Sequence, residues 1–259
     1  MKNLMQGENK DIQIIKDFIN IDISLNILVI ISTLLIFLLL FSLKKYPIIS
    51  TLNTISGFIP VLIHELGHAI ICSLTLGKVK DIRVVIMQHQ QEKLGAQGYT
   101  NMEQTSWINK VLTTFAGYLA CPALFFFGIY SIVTGKVMIF ILILLLLFIY
   151  YFIKTKQKLV ALLFISLIVI SIINLNFSHI EFITLVFTIS INIILGLMLG
   201  EMIQSLYITF ISTFINKSDS WDGAQLRDLT VIPMFIWYTL WMIFDIIIIY
   251  KSVIMIEVI

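Results

Sequence analysis

Seven apolar stretches dominate this chain, and each is about long enough to cross a lipid bilayer as a helix. Because 12% of its residues are charged and 59% are hydrophobic, the chain is too apolar for a soluble domain, in which about 25% of residues are charged. The sequence therefore predicts an all-α polytopic membrane protein with about seven transmembrane helices. The stretches cover residues 23–43, 55–76, 111–133, 137–153, 159–175, 180–199 and 229–250.

The chain shows no internal repeat, no low-complexity linker and no soluble segment of domain size. The simplest prediction is therefore a single membrane domain over residues 1–259. The first apolar stretch does not have the form of a cleavable signal, because it is too long and ends at Lys44 and Lys45. Cys72 and Cys121 both lie in apolar stretches, which argues against a disulfide framework.

The distribution of basic residues predicts the orientation in the membrane. With seven spans, thirteen of the 17 Lys and Arg residues fall on the side of the N-terminus, in segments 1–22, 77–110, 154–158 and 211–228. Because cytoplasmic loops carry the excess of Lys and Arg, this side is predicted to be cytoplasmic. We expect a multi-pass protein of the cell membrane with a cytoplasmic N-terminus. The net charge of +2 does not suggest nucleic-acid binding.

The second apolar stretch contains His64-Glu65-Leu66-Gly67-His68, which has the pattern H-E-x-x-H. On an α-helix, residues four apart lie on the same face, so both imidazoles can reach one metal ion. Glu65 lies one step around the helix and can act as a general base on a water molecule without binding the metal. This pattern is typical of zinc-dependent hydrolysis of peptide bonds.

Polar groups of this kind are costly inside a bilayer, so they should face protein or water and have a function there. A functional metal site is one interpretation of His64, Glu65 and His68. The alternative is a polar cluster that only helps neighbouring helices to pack.

A catalytic zinc site normally has three protein ligands and one open position, so a third ligand is expected elsewhere in the chain. The polar segment 216–226 lies on the same predicted side of the membrane as the end of the H-E-x-x-H helix. Asp222 is our candidate, since Gly223 after it permits close backbone approach and a helix is predicted to start there. Asp222 could instead be a plain N-cap, and Asp219 stays open as the alternative ligand.

These motifs resemble those of the site-2 protease family of intramembrane zinc metalloproteases, and in particular of its short branch. The resemblance covers about half of the chain, positions 60–125 and 219–245. It is carried by the H-E-L-G-H-A helix from His64 to Ala69, the glycine-bearing segment 95–100, the Ala116-Gly117-Tyr118-Leu119 sequence and the stretch from Asp222 to Pro233.

The resemblance implies that His64, His68 and Asp222 bind one zinc ion and that Glu65 is the general base. The chain departs from the larger family in two respects, because the Asn-x-x-Pro element before the Asp-Gly pair is absent and no insertion of PDZ size is present. Selection of substrates by a separate domain is therefore not expected.

Residues 81–87 and 95–100 are predicted to form two short strands of a cytoplasmic β-hairpin after the H-E-x-x-H helix. An edge strand at the mouth of the site could bind an unwound substrate by β-augmentation. A surface hairpin with no role in substrate binding is the alternative.

Several other polar or thiol groups have weaker indications. Cys72 lies four residues after His68, but we expect it to pack as a small apolar residue. Glu201, Asn192 and Asp245 lie in or at the edge of apolar stretches, where they could orient the histidines, line a water path or pair with neighbours. The remaining histidines, His89 and His179, are expected in solvated loops.

The favoured function is an intramembrane zinc metalloendopeptidase that cuts a membrane-anchored protein or peptide near the cytoplasmic face, as in regulated intramembrane proteolysis. The alternative is a non-proteolytic membrane protein, such as a transporter or scaffold, with a structural or vestigial metal site. The sequence does not identify the substrate, the cleavage site or the oligomeric state.

Overall fold

The computed structural model of the protein describes residues 23–87, 90–91, 96–177 and 181–257. His89, His179, Gly95 and the predicted cytoplasmic N-terminal segment 1–22 lie outside these residues. The described residues are mostly helical. The helices are α1 (Ile27–Ser42), α2 (Pro47–Ser56), α3 (Phe58–Leu74), α4 (Trp107–Val133), α5 (Val137–Lys154), α6 (Lys158–Phe177), α7 (Glu181–Phe210), α8 (Asp222–Thr230) and α9 (Met234–Glu257).

Each of the seven predicted apolar stretches overlaps at least one of these helices. By length and composition, four helices of the described residues can cross a membrane, or five spans if the bent pair α2 and α3 counts as one. The apolar helix α1 has 16 residues and is shorter than a usual span. The chain is therefore a helical membrane protein, and the total of seven crossings stays a prediction.

Helices α2 and α3 are bent by 48° relative to each other. The break falls at Gly57, which is the C-cap of α2 and the N-cap of α3. The predicted second span, 55–76, therefore begins before this break. The H-E-x-x-H sequence lies wholly within α3.

Helix α3 is central to the packing, because its buried residues face α4 on one side and the β-strands on another. Helix α4 also contacts α8 and α9, while α1 packs on α7 and α5 packs on α6. Two apolar clusters fill the interior. One includes Phe140, Leu195 and Met198, and the other includes Leu62, Leu66 and Tyr151.

The predicted hairpin is present as an antiparallel pair of strands, β1 (Lys78–Val84) and β2 (Gly98–Glu103). The predicted bounds were wrong by about three residues in both strands. In β1, a register irregularity between Val79 and Asp81 interrupts the regular pairing near the start of the strand.

The predicted last span, 229–250, is also wrong at its start, because α9 begins only at Met234. The chain first forms the short polar helix α8, whose C-cap Val231 has a left-handed backbone with φ of 64°. Pro233, immediately before α9, is compatible with a helix start but not with a continuous helix through this region. Asp222 therefore lies on a separate helix and not on the last span.

Candidate metal centre

His64, Glu65 and His68 lie on α3, where the four-residue spacing of the histidines brings their rings together. The ring centroids are 4.7 Å apart, and the two Nε2 atoms are 3.0 Å apart. His68 is buried and His64 is more accessible, with 24% of its side chain exposed. The local helix geometry is thus sufficient to pair the two imidazoles.

The backbone of α4 fixes the orientation of the His68 ring. Nδ1 of His68 lies 2.7 Å from the carbonyl oxygen of Thr113. Because a carbonyl can only accept, Nδ1 must carry the proton, and in a neutral ring Nε2 then presents its lone pair. His68 is therefore arranged to bind a metal through Nε2.

Asp222 is the first residue of α8, and it brings a carboxylate to the two histidines from more than 150 positions away in the chain. Its Oδ2 lies 3.3 Å from Nε2 of His64 and 3.2 Å from Nε2 of His68. The N-cap of α8 is Trp221 and not Asp222, so the N-cap interpretation of Asp222 was wrong. At the other end of the helix, Nε1 of Trp107 donates to the carbonyl of Leu229 at 2.6 Å and ties α8 to the start of α4.

The three ligand-type atoms form a nearly equilateral triangle with sides of 3.0, 3.2 and 3.3 Å. Ligands about 2.0–2.1 Å from a tetrahedral zinc ion would be separated by about 3.3 Å, so the residues fit such an ion. His64, His68 and Asp222 are also the one group of His, Cys, Asp and Glu in the described residues that can jointly hold a metal ion. Two neutral nitrogens and one carboxylate oxygen match the donor preferences of zinc.

The electrostatic environment favours an ionised Asp222. Burial would raise the pKa of its carboxyl group, but in the metal-free site the positive charge of a protonated His68 ring and hydrogen bonds from the His64 and His68 rings outweigh this effect and hold the pKa below its ordinary value. An ionised carboxylate is the form that binds a metal.

Two glycines allow α3 and α4 to approach each other at the histidines. A Cβ added at Gly117 would lie 2.8 Å from Cε1 of His64 and would also meet the His68 ring. A Cβ added at Gly67 would lie 2.9 Å from the carbonyl oxygen of Ala116. Any larger residue at either position would push the helices apart or displace a histidine.

Strand β2 covers Glu65. The hydroxyl of Thr100 donates to Oε2 of Glu65 at 2.7 Å, and Gly98 lies so close that an added Cβ would be 2.8 Å from Oε1. The Glu65 side chain is buried beside the histidines and is held by a strand that comes later in the chain.

A cavity of about 360 Å³ opens onto these groups, within the size range of ligand-binding clefts, about 300–1,000 Å³. It is lined by the candidate site residues, by residues of β2 and by aromatic side chains. Tyr118 packs edge-on against His64 with ring centroids 4.8 Å apart. Besides His64, Glu65, His68 and Asp222, the cavity is lined by residues that include Tyr99, Thr100, Tyr118 and Trp221.

The structure separates Asp219 and Cys72 from this cluster. The Asp219 carboxylate is 76% exposed and accepts from Nη1 of Arg227 at 2.9 Å. Cys72 is a free cysteine, fully buried in an apolar cluster with Leu62 and Leu66. Its position agrees with the expected packing role.

The sequence reasoning missed the contacts that Thr113 and Thr100 make with the predicted site residues. Thr113 acts through its backbone carbonyl, so its side-chain type gives no signal. Thr100 was included in a predicted strand, but nothing in its sequence context indicated a bond to Glu65. The close approach at Gly117 was signalled only by its place in the Ala116-Gly117-Tyr118-Leu119 sequence.

Residues 28–252 match the family described as Peptidase M50B-like. The chain belongs to this family. Membership confirms the resemblance to the site-2 protease family and makes the chain a membrane protein of a metallopeptidase family. No curated protein and no solved structure gives a significant match.

Proposed function

We propose that this M50B-like protein is an intramembrane zinc endopeptidase. In this proposal His64, His68 and Asp222 hold one zinc ion, and Glu65 is the general base. The proposal rests on the triangle of three ligand atoms with sides of 3.0–3.3 Å. The three ligand residues and Glu65 line the same cavity. We also propose that residues 1–259 form one membrane metalloprotease domain.

When bound, zinc supplies a Lewis acid that polarises a carbonyl group and lowers the pKa of a water ligand towards 7. The residues of the chain supply the remaining functions. His68 is held in its binding tautomer by Thr113, and Asp222 contributes the negative charge. The arrangement leaves the cavity side of the triangle open for water and a peptide carbonyl.

Glu65 is placed to move the proton. Its carboxylate is buried next to the histidines, and Thr100 donates to one oxygen, Oε2. Glu65 takes a proton from the attacking water and delivers it to the amine that leaves, which is the role of a general base that then acts as an acid. The Thr100 bond restricts the rotation of the carboxylate and so orients it for this transfer.

Strand β2 supports a peptide as the substrate. The described sheet has two strands, so the edge of β2 that does not face β1 is open for pairing. Gly98, Tyr99 and Thr100 of β2 line the cavity. An unwound segment of a membrane-anchored protein could add to this edge as a third strand and bring a peptide bond to the site. The predicted orientation of the chain would put this event near the cytoplasmic face.

The first experiment is to measure zinc content in the detergent-purified protein. We expect about one zinc ion per chain in the wild type, and loss of zinc in His64→Ala and in Asp222→Ala. Asp219→Ala is the matched control, because it removes a nearby carboxylate whose exposed pair with Arg227 contributes only about 0–1 kcal/mol, and it should still hold about one zinc ion per chain. Zinc binding that survives Asp222→Ala would overturn the ligand assignment.

A peptidase assay then separates a protease from a structural metal site. Glu65→Gln should retain zinc and lose hydrolysis by about 10² to 10⁴-fold, the usual contribution of a general base. A wild type that binds zinc but cleaves no membrane-anchored test substrate would favour the non-proteolytic alternative, a transporter or scaffold with a structural metal site.

A further inference from the structure

A second and much smaller cavity also contacts His64. Its volume is about 20 Å³, enough for about one water molecule. It lies where α4, α7 and α9 meet, and its lining contains three polar side chains besides His64 and Tyr118. These are Glu201 and Ser205 of α7 and Asp245 of α9.

The two acids at this cavity are unusual for their surroundings. Asp245 is 5% exposed, and its Oδ1 has no hydrogen-bond partner among the described residues. Oε2 of Glu201 is also buried without a partner there. Buried polar atoms normally have partners, and acids inside apolar helices are costly, so these two oxygens call for a ligand.

The two histidines differ in how their rings are held. Nδ1 of His68 donates to the Thr113 carbonyl. His64 has no comparable bond at Nδ1 within the described part of the chain, although its Nε2 points to Asp222 in the same way. A neutral His64 that binds metal through Nε2 carries its proton on Nδ1, and this N–H needs an acceptor.

We propose that one water molecule occupies the small cavity, accepts the Nδ1–H of His64 and donates to Asp245 and Glu201. The water would then make three hydrogen bonds, the usual number for a buried water. Asp245 and Glu201 are thus positioning residues that act on the metal site through His64. The inference rests on the proposed zinc site and adds a function to two acids outside the ligand set.

The test is the zinc affinity of detergent-purified variants, measured by competition with a chromophoric chelator. Asp245→Leu and Glu201→Leu should each bind zinc about tenfold more weakly, the lower end of the effect of groups that orient metal-bound histidines. The stability of the zinc-free protein should stay equal or increase, because each change replaces a buried acid, bonded in this proposal only through one water molecule, by an apolar side chain of similar size. A purely structural role would not change affinity and stability in opposite directions.

Two further variants make the test independent of the acids. Ser205→Val fills the cavity, leaves both carboxylates in place and should also weaken zinc binding about tenfold. Asn192→Leu is the matched control, since Asn192 is a buried polar residue of α7 that bonds to the backbone of Ser24 and Asn26 instead. It should keep wild-type zinc affinity even if it destabilises the fold.

Substitution of zinc by cobalt gives a second readout. Asp245→Leu should alter the visible absorption bands of the cobalt form because the His64 ring is less constrained, and Asn192→Leu should not. Unchanged zinc affinity in Asp245→Leu, Glu201→Leu and Ser205→Val would overturn the inference, and so would an equal loss in Asn192→Leu. In either case the wild type would still bind zinc. Failure of the proposed function is distinguishable, because the wild type itself would then contain no zinc.

Discussion

The two sides of the candidate metal centre are built in contrasting ways. His64, Glu65 and His68 come from a single helix that packs closely against α4 at Gly67 and Gly117. Asp222 comes from the nine-residue helix α8, which has irregular backbone on both sides. It is preceded by a π-helical turn at Ile211–Ile215 and by Lys217 with φ of 47°, and it is followed by Val231 with φ of 64°.

The difference shows which contacts make the site. On the α3 side, helix periodicity and close packing set the geometry, so small changes in volume there should have large effects. On the α8 side, a few specific contacts hold the carboxylate, among them the Trp107 bond to Leu229 and the Arg227 pair with Asp219. Changes to these supporting contacts, as opposed to Asp222 itself, should have graded and smaller effects.

Outside the proposed zinc ligands and Glu65, the largest effect is expected at Gly117. Gly117→Ala would put a methyl group against both histidine rings, and overpacking costs about 1–3 kcal/mol. If about 3 kcal/mol of this cost is lost from the free energy of zinc binding because the histidine rings are displaced, zinc affinity should drop by about 100-fold. Chelator competition measures this affinity.

Gly200→Ala is the control for Gly117→Ala, since its added Cβ would lie 2.6 Å from the Phe37 ring, in the contact between α1 and α7. It should lower stability but not zinc affinity. Normal zinc binding by Gly117→Ala would show that the α3 side is less rigid than the comparison implies.

Thr100→Val tests whether α3 alone determines the orientation of the Glu65 carboxylate. The substitution keeps the side-chain volume but removes the bond to Oε2 of Glu65, and bonds to charged groups contribute about 1.5–3 kcal/mol. We expect about a tenfold loss of peptide hydrolysis with zinc content unchanged.

Thr239→Val serves as the control for Thr100, because the Thr239 hydroxyl bonds within α9 to the carbonyl of Phe235 and to no site residue among those that the structure describes. Its hydrolysis rate should equal that of the wild type. Full activity of Thr100→Val would mean that the helix orients Glu65 without help from β2.

A smaller effect is expected at Arg227, which pairs with Asp219 in the segment that leads into Asp222. Exposed ion pairs contribute about 0–1 kcal/mol, so Arg227→Ala should weaken zinc binding about two- to threefold, and less at high salt. Lys80→Ala breaks the exposed pair with Glu103 on the hairpin and should leave zinc affinity unchanged. Because Arg227 also pairs with Asp228, a loss above about tenfold in Arg227→Ala would be assigned to the Asp219 pair only if Asp219→Ala reproduced it.

The smallest effect is expected at Val231, which is 88% exposed and has a left-handed backbone. Val231→Gly relieves a strain of about 1–2 kcal/mol, reduced by the greater freedom of glycine in the unfolded chain, and should raise stability by up to about 1 kcal/mol. Val253→Gly, an exposed position within α9, should instead lower stability by about 0.3–0.5 kcal/mol, the difference in helix propensity between valine and glycine. Thermal unfolding in detergent compares the two, and a destabilised Val231→Gly would show that Val231 has an unrecognised packing role.

Much of the helical framework could be predicted because apolar length is a local property. Each of the seven apolar stretches overlaps at least one helix, and the hairpin was expected in the right region. The errors in the predicted bounds lie where the backbone departs from regular strand or helix geometry. The irregular register at Val79 and Asp81 lies at the start of β1, which the prediction missed, and the left-handed Val231 separates α8 from α9 within the predicted last span.

The sequence by itself determined that this protein lies in a membrane and that His64, Glu65 and His68 share one region of a helix, because hydropathy and helical period act over adjacent residues. It also indicated Asp222, through composition and resemblance. Only the tertiary structure brought Asp222 to the histidines, Thr113 to Nδ1 of His68 and Thr100 to Glu65. These contacts join residues at least 35 positions apart, and their geometry depends on how helices and strands pack and not on any local pattern.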